Sequence, residues 1–288
     1  MGAKTLIVVT GPTASGKTAL AVKLAHEYGC DVISADSRQV YQRIPIVTAQ
    51  PTEEEKEGVT HHLIGHLPLD SYYSAATFEE DALRLIECQF ETSDHAIVCG
   101  GSMLYVDALC HGIDALPTIP ADFRENLKKE AAEKGDEWLL MRLKDLDPDY
   151  YEKVDRQNIK RVFHAVEISL YGGRPYSSML TGRKEQRPFK IEKKVIDIPR
   201  DQLFDRINRR VDRMVASGLE EEARAVYPLR GLNSLNTVGL KEMFAWFDGL
   251  MPRETTIERI KKNTRVFAKK QLTWLKKSDA SQGPLNKF

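Results

Sequence analysis

The segment Gly11-Pro12-Thr13-Ala14-Ser15-Gly16-Lys17-Thr18 fits the pattern G-x-x-x-x-G-K-[ST]. It follows the apolar run Thr5-Leu6-Ile7-Val8-Val9-Thr10 and opens a helical stretch that reaches about Tyr28. A strand, a tight Gly-rich loop and a helix in that order are the context in which such a loop cradles phosphate. Gly11 and Gly16 let the backbone curl until its N–H groups converge on phosphate oxygens. The helix N-terminus adds partial positive charge. Pro12, Thr13, Ala14 and Ser15 complete the cradle, Lys17 neutralises the terminal phosphates, and the Thr18 hydroxyl is a ligand for Mg²⁺. This is the nucleotide-binding, ATP-binding form of the loop. It specifies a di- or triphosphate, but neither a particular nucleotide nor hydrolysis.

The rest of the chain extends that unit. Asp31-Val32-Ile33-Ser34-Ala35 reads as a second strand and Ala96-Ile97-Val98-Cys99 as a third, which runs into Gly100-Gly101. Between them, Thr77 with Glu80 three residues on reads as a capping box, starting a helix that ends near Phe90. Alternating strands and helices predict a parallel sheet covered by helices. Near Pro117 and Pro120 the pattern changes, and from about Ala121 to Tyr171 it is helical throughout. Gly172-Gly173-Arg174-Pro175 breaks it, a polar loop runs to about Pro188, and Lys194-Val195-Ile196-Asp197-Ile198 resumes a strand. The expected fold is α/β, a P-loop parallel-sheet core with a helical insertion domain. Residues 1–116 begin the core, 117–188 form the insertion, and 189–288 complete the core with basic C-terminal helices.

Composition narrows the partners. The 288 residues are 42% apolar and 29% charged, which excludes a disordered or collagen-like chain. The longest apolar runs, such as Leu6-Ile7-Val8-Val9, are far short of a membrane span, and no signal peptide precedes the first strand, so the expected compartment is the cytoplasm. Cys30, Cys88, Cys99 and Cys110 form no C-x-x-C pair and read as reduced, mostly buried thiols. The net charge is zero but unevenly spread: residues 1–120 hold 7 Lys+Arg and 16 Asp+Glu, residues 121–288 hold 35 and 26. A net −9 half is thus joined to a net +9 half. Arg259 to Lys277 contains eight Lys/Arg and no acid. Ile260, Phe267 and Trp274 recur there at spacing seven as an apolar face, with Lys262, Arg265 and Lys269 on another. A basic half suits a polyanion, nucleic acid before membrane; a solvated helix surface is the plainer reading.

ATPases and GTPases carry a metal-holding Asp at the end of a second apolar strand. Here that strand ends in Gly100-Gly101, and the acid comes after strand two, as Asp36 in Ala35-Asp36-Ser37-Arg38-Gln39. Strand C-termini of a parallel sheet face one crevice, which brings Asp36 toward the P-loop. A carboxylate there suits a general base for an acceptor attacking a phosphate ester; it also suits a helix N-cap or a metal's outer shell. These residues describe group transfer from a phosphorylated donor, and a small-molecule kinase using ATP fits them equally.

A longer set of motifs is more specific. Gly11 to Thr18, Asp36-Ser37-Arg38-Gln39-Val40-Tyr41, Thr48-Ala49-Gln50-Pro51, His61-His62-Leu63 and Gly100-Gly101-Ser102-Met103-Leu104-Tyr105 resemble the tRNA dimethylallyltransferases, also called tRNA isopentenyltransferases. The resemblance continues through Arg206 to Val211 with Met214, Gly239-Leu240-Lys241-Glu242, Thr264-Arg265, Ala268 to Gln271, and Thr273-Trp274. It covers nearly the whole chain in order. It implies transfer of a dimethylallyl group from dimethylallyl diphosphate to N6 of adenosine 37, beside the tRNA anticodon. Apart from the resemblance, the chain is expected to be a monomer and to bind no membrane.

In that reading the P-loop holds a leaving group rather than ATP. The resemblance places the general base on Asp36 and Arg210 beside the diphosphate, with Mg²⁺ on Thr18, and counts Thr13 among the catalytic residues as a channel and tRNA-contact position. It gives tRNA contacts to Asp36, Ser37, Arg38, Gln39, Ser102 and Arg124. It adds Lys160, Arg161, Val162, Phe163 and His164, and Asn236, Thr237, Val238, Gly239, Leu240 and Lys241. The insertion would then grip the anticodon arm. The sequence departs from the family at Val47 and Gln50, for a usual Gly and Lys. Ser102 replaces Thr, His164 replaces Arg and Leu240 replaces Tyr. His61-His62 is no metal pair, because neighbours on a strand point to opposite faces. A non-catalytic RNA-binding module with a vestigial P-loop is the other alternative.

Overall fold

The computed structural model describes residues 3–182, 185–280 and 286–287. The chain divides into two compact units, residues 1–111 with 186–288, and residues 112–185. In the first unit β1 (Thr5–Thr10) is buried along its whole length. Such a strand must be apolar on both faces, which is why its sequence does not alternate. The P-loop leads into α1 (Lys17–Tyr28), closed by Gly29 in the left-handed region at φ 62°. β2 (Val32–Ser34), the short α2 (Pro45–Thr48) and α3 (Glu53–Lys56), and β3 (His61–His62) follow. α4 (Ala75–Thr92), β4 (His95–Gly100) and α5 (Met103–His111) complete the first stretch.

The second unit is helical. α6 (Ala121–Leu146) bends at Gly135, α7 (Pro148–Lys153) is capped by the Asp147 carboxylate, and α8 (Ile159–Gly172) is capped by Asn158 and closed by Gly173. α9 (Tyr176–Met179) follows. Leu127, Leu139, Leu143, Val162, Ala165 and Val166 form its core. The unit opens at Gly112, which takes φ 79° directly after α5. It thus begins five residues before the expected boundary and ends three before it. The prolines at 117 and 120 mark the entry to α6 rather than the exit from the core.

The chain returns to the sheet with β5 (Lys190–Val195), then α10 (Arg200–Ala216), α11 (Leu219–Val226), α12 (Leu240–Phe247), α13 (Arg253–Ala280) and the two-residue β6 (Asn286–Lys287). The sheet is parallel in the order β3-β2-β4-β1-β5-β6. Ile7, Val9, Val32 and Ile97 pack against Ala21, Leu24 and Ala25 of α1. A second core joins the segment after β2, with Val40, Tyr41 and Ile44, to Val211, Leu219, Ala223, Leu240, Met243 and Ile260 of the C-terminal helices.

Three local expectations change. Helix α4 starts at Ala75, because Ser74 Oγ accepts from the Thr77 N–H; Thr77 lies inside the first turn and is no cap. β5 lies four residues earlier than expected, since its register with β1 pairs Thr5 with Lys190 and Thr10 with Val195. Only its Val195 is buried, so the strand lacks the apolar run that marks β1. The buried stripe of α13 runs through Thr256, Ile260, Ala268, Gln271 and Leu275, whereas Phe267 is 42% exposed. Ile260 packs in the core with Leu240 and Met243 of α12, and Ala268 packs against Leu203 and Ile207 of α10, so the neighbouring helices rather than a spacing of seven decide which residues of α13 are buried.

Candidate active site

The P-loop folds back on itself between β1 and α1. Gly11, Ala14 and Gly16 take positive φ of 155°, 63° and 94°, the reversal such a loop needs to aim successive N–H groups inward. The Lys17 ammonium turns onto the loop, donating to Gly11 O at 3.1 Å and Pro12 O at 2.7 Å. Burial pushes its pKa down from 10.5 to about 8; Arg210 adds to the push, and Asp36 works against it. α10 supplies two arginines to the same loop. Arg210 Nη1 donates to Thr13 Oγ1 at 3.2 Å, and Arg206 Nη1 donates to Ser15 O at 3.4 Å. Burial also pushes the Arg210 guanidinium below its usual range, with Asp36 the first of its opposing charges.

Asp36 sits on the loop after β2. Its Oδ1 accepts from the Arg38 N–H at 2.9 Å and the Gln39 N–H at 3.3 Å. The carboxylate therefore caps a turn, not the helix N-terminus that one sequence reading allowed, and keeps Oδ2 without a bond to any described residue. The neighbouring loop is pinned from several sides. Ser102 Oγ accepts from the Ser37 N–H at 2.8 Å, and the Ser102 N–H donates to Ala35 O. Arg38 Nη1 donates to Asn233 O at 2.8 Å. Gln39 Nε2 donates to Ala49 O at 2.8 Å, and Gln50 Nε2 donates to Gln39 O and Tyr41 O, each at 2.9 Å. Gln50 thus braces the loop through its side-chain amide.

The Gly100-Gly101 pair has a steric cause. A Cβ at Gly100 would stand 2.1 Å from Ala35 O, and one at Gly101 would stand 2.5 Å from Gln271 Nε2. A side chain at Gly100 would run into the Ala35 backbone, so no metal-binding Asp can stand at the last residue of β4. Among the described residues no group of three or more His, Cys, Asp and Glu could hold a metal ion. The Thr18 hydroxyl, in the first turn of α1, has no bond to a described residue. A single hydroxyl next to a phosphate cradle fits Mg²⁺, which takes its remaining ligands from phosphate oxygens and water.

The structure brings Thr13, Lys17, Asp36, Arg210 and Ser102 together in the first unit. It corrects two of the tRNA-contact expectations. Val162 and Leu240 are fully buried, in the core of the second unit and in the C-terminal helical core respectively, so neither side chain reaches a solvent-side partner. Each occupies an apolar position of its helix, where packing decides the residue. Lys160, Arg161, Asn236 and Lys241 are exposed, Phe163, His164, Thr237 and Val238 are half-buried, and Gly239 is buried over Val47. Arg124 is paired with the buried Glu167 at 2.6 Å and 3.0 Å, within the second unit. The cysteines are all free; Cys88 is exposed, and burial raises Cys30, Cys99 and Cys110 to about 11.

Two residues had no assigned role in the sequence. Gln271 bonds the P-loop; the sequence shows it only as a polar residue within the Ala268 to Gln271 motif, with no partner indicated. Glu222 of α11 accepts from the Ile46 and Val47 N–H groups at 2.7 Å and 2.8 Å, holding the start of α2. No sequence spacing links positions so far apart.

No helix of the described residues is long and apolar enough to cross a membrane. A sequence model described as IPP transferase matches residues 39–278. The chain is 48% identical over 272 residues to "tRNA dimethylallyltransferase 2" of Parabacteroides distasonis, covering 94% of this chain and 91% of that one. It is 47% identical over 279 residues to a tRNA dimethylallyltransferase of Bacteroides fragilis, covering 97% and 93%. The crystal structure of the full-length tRNA isopentenylpyrophosphate transferase of Bacillus halodurans superposes with a TM-score of 0.70 at 35% identity, over 99% of this chain and 88% of that one. A eukaryotic dimethylallyltransferase captured acting on tRNA superposes with a TM-score of 0.80 at 26% identity, over 94% and 70%. By its matched domain and by identity over nearly its full length, the chain belongs to the IPP transferase family.

Proposed function

We propose that the protein is a tRNA dimethylallyltransferase that moves the dimethylallyl group from dimethylallyl diphosphate to N6 of adenosine 37 and releases diphosphate. The observation that carries this reading is the convergence of Arg210 and Lys17 on the P-loop across from Asp36. The allylic C–O bond breaks with its electron pair going to the diphosphate, and the N6–C bond forms. Lys17, the loop amides and Arg210 stabilise the charge that builds on the leaving group. The exocyclic amine of adenine is a weak nucleophile because its lone pair is delocalised into the ring. Asp36 takes the N6 proton as the bond forms. The target base leaves its stack to enter the site, at a cost of roughly a few kcal/mol.

Mg²⁺ bound at Thr18 would supply charge neutralisation of the diphosphate. The exposed Lys160 and Arg161 of the second unit, with Lys241 and the basic face of α13, would hold the tRNA through phosphates. The protein is read as a cytoplasmic monomer. Incubation with labelled dimethylallyl diphosphate, Mg²⁺ and unmodified tRNA tests the reading. Label in tRNA without ATP is the expected result. ATP-dependent transfer to a small acceptor would identify a kinase, and tRNA retention without product would identify a binding module.

A further inference from the structure

Gln271 is 3% exposed and uses both ends of its amide. Its Oε1 accepts from the Thr13 N–H at 2.8 Å, and its Nε2 donates to Gly101 O at 2.9 Å. Each partner belongs to one half of the chemistry. Thr13 stands in the P-loop, and its hydroxyl receives Arg210. Gly101 precedes Ser102, whose N–H and Oγ bond Ala35 and Ser37, the residues on either side of Asp36. One side-chain amide therefore bridges the diphosphate loop to the loop that carries the base. It does so from the helix whose outer face presents Lys262, Lys269 and Lys270.

We propose that Gln271 is a positioning residue that sets the separation between the Thr13–Arg210 side and Asp36. The inference rests on the prenyl-transfer reading above. The chemistry of the position calls for a primary amide, since one partner is a donor and the other an acceptor. Glutamate could serve Thr13 but would set a lone pair against Gly101 O. Methionine has the length and serves neither. The bare Gly101 permits the contact, because a Cβ there would stand 2.5 Å from Nε2. A role confined to anchoring α13 makes a different prediction: other bonds, such as Trp274 Nε1 to Asp107 Oδ2 at 3.0 Å, also anchor that helix.

The test is single-turnover prenyl transfer at saturating dimethylallyl diphosphate, Mg²⁺ and tRNA, for the full-length wild type, Gln271→Met and Gln271→Glu. tRNA binding and circular dichroism are measured in parallel. Near neutral pH both variants are expected to react about tenfold to a hundredfold more slowly, the range a small misplacement produces, with unchanged tRNA affinity. As pH falls through the raised range of a buried glutamic acid, the protonated Glu regains a donor for Gly101. The rate of Gln271→Glu relative to wild type should then rise, while that of Gln271→Met stays flat. Folded variants reacting at the wild-type rate, or a Gln271→Glu ratio that ignores pH, would overturn the assignment. Should Gln271→Met not fold, the pH dependence of the Gln271→Glu ratio decides alone. A wild type that transfers no prenyl group would refute the functional reading instead, and is distinguishable because it precedes any comparison of variants.

Discussion

Replacing Lys17 by methionine separates what the P-loop lysine does for binding from what it does to the fold. Its pKa falls from 10.5 to about 8, so holding the ammonium in the folded state costs about 3 kcal/mol below pH 8. Because the folded-state value is the lower one, that cost is present in full below pH 8. It is relieved as pH rises from about 8 to 10.5, where the folded protein has released the proton and the unfolded chain still holds it. By linkage the wild type should gain about 2 kcal/mol over Lys17→Met between pH 7 and pH 9.5. Tyrosine and other ionisations are common to both proteins and cancel in the difference. Urea unfolding at the two pH values, in buffer free of metal and phosphate, measures it. Diphosphate binding should reverse the shift, because an anion against Lys17 raises its pKa. Calorimetry near pH 9 in buffers of different ionisation enthalpy should therefore show greater net proton uptake by wild type than by the variant, the diphosphate's own ionisation being common to both. A stability difference that is the same at both pH values, with no excess proton uptake by wild type, would show that Lys17 is not held charged against a desolvation cost.

Asp36→Asn keeps an oxygen for the Arg38 and Gln39 N–H groups but cannot take a proton. It should slow the single-turnover chemical step by about 10²–10⁴ while tRNA affinity is retained; a wild-type rate would remove Asp36 as the base. Replacing Lys262, Lys269 and Lys270 together by alanine should weaken tRNA binding and lower the salt slope by up to ~1 per lost phosphate contact. An unchanged slope in a salt titration would take α13 out of the RNA interface. Leu240→Ala should cost about 2–5 kcal/mol in urea unfolding and leave the salt slope of tRNA binding alone, as its fully buried position requires; a lost phosphate contact there would contradict that placement.

What the sequence determined by itself follows from local rules. The P-loop needs only its own eight residues and the apolar strand before it, so Gly11 to Thr18, β1 and α1 were legible. The helical run of α6–α8 was equally plain, its period being written in neighbouring residues. The resemblance also pointed to Asp36 and Arg210, because their motifs are contiguous. Tertiary structure decided the rest. β5 is mostly polar and becomes a strand only because β1 offers it a ladder. Val162 and Leu240 lie inside motifs suggestive of RNA contact, yet packing claims them, and exposure is a property of the whole fold. The Gly100-Gly101 pair reads in sequence as a missing acid; in space it is the close approach of Ala35 O and of the Gln271 amide. Gln271 and Thr13 are 258 positions apart, and a hydrogen bond between them leaves no periodicity for a sequence to carry. Their distance is set by how α13 packs on α10 and α12, because burying Ile260 and Ala268 against those helices leaves the Gln271 amide pointing into the site.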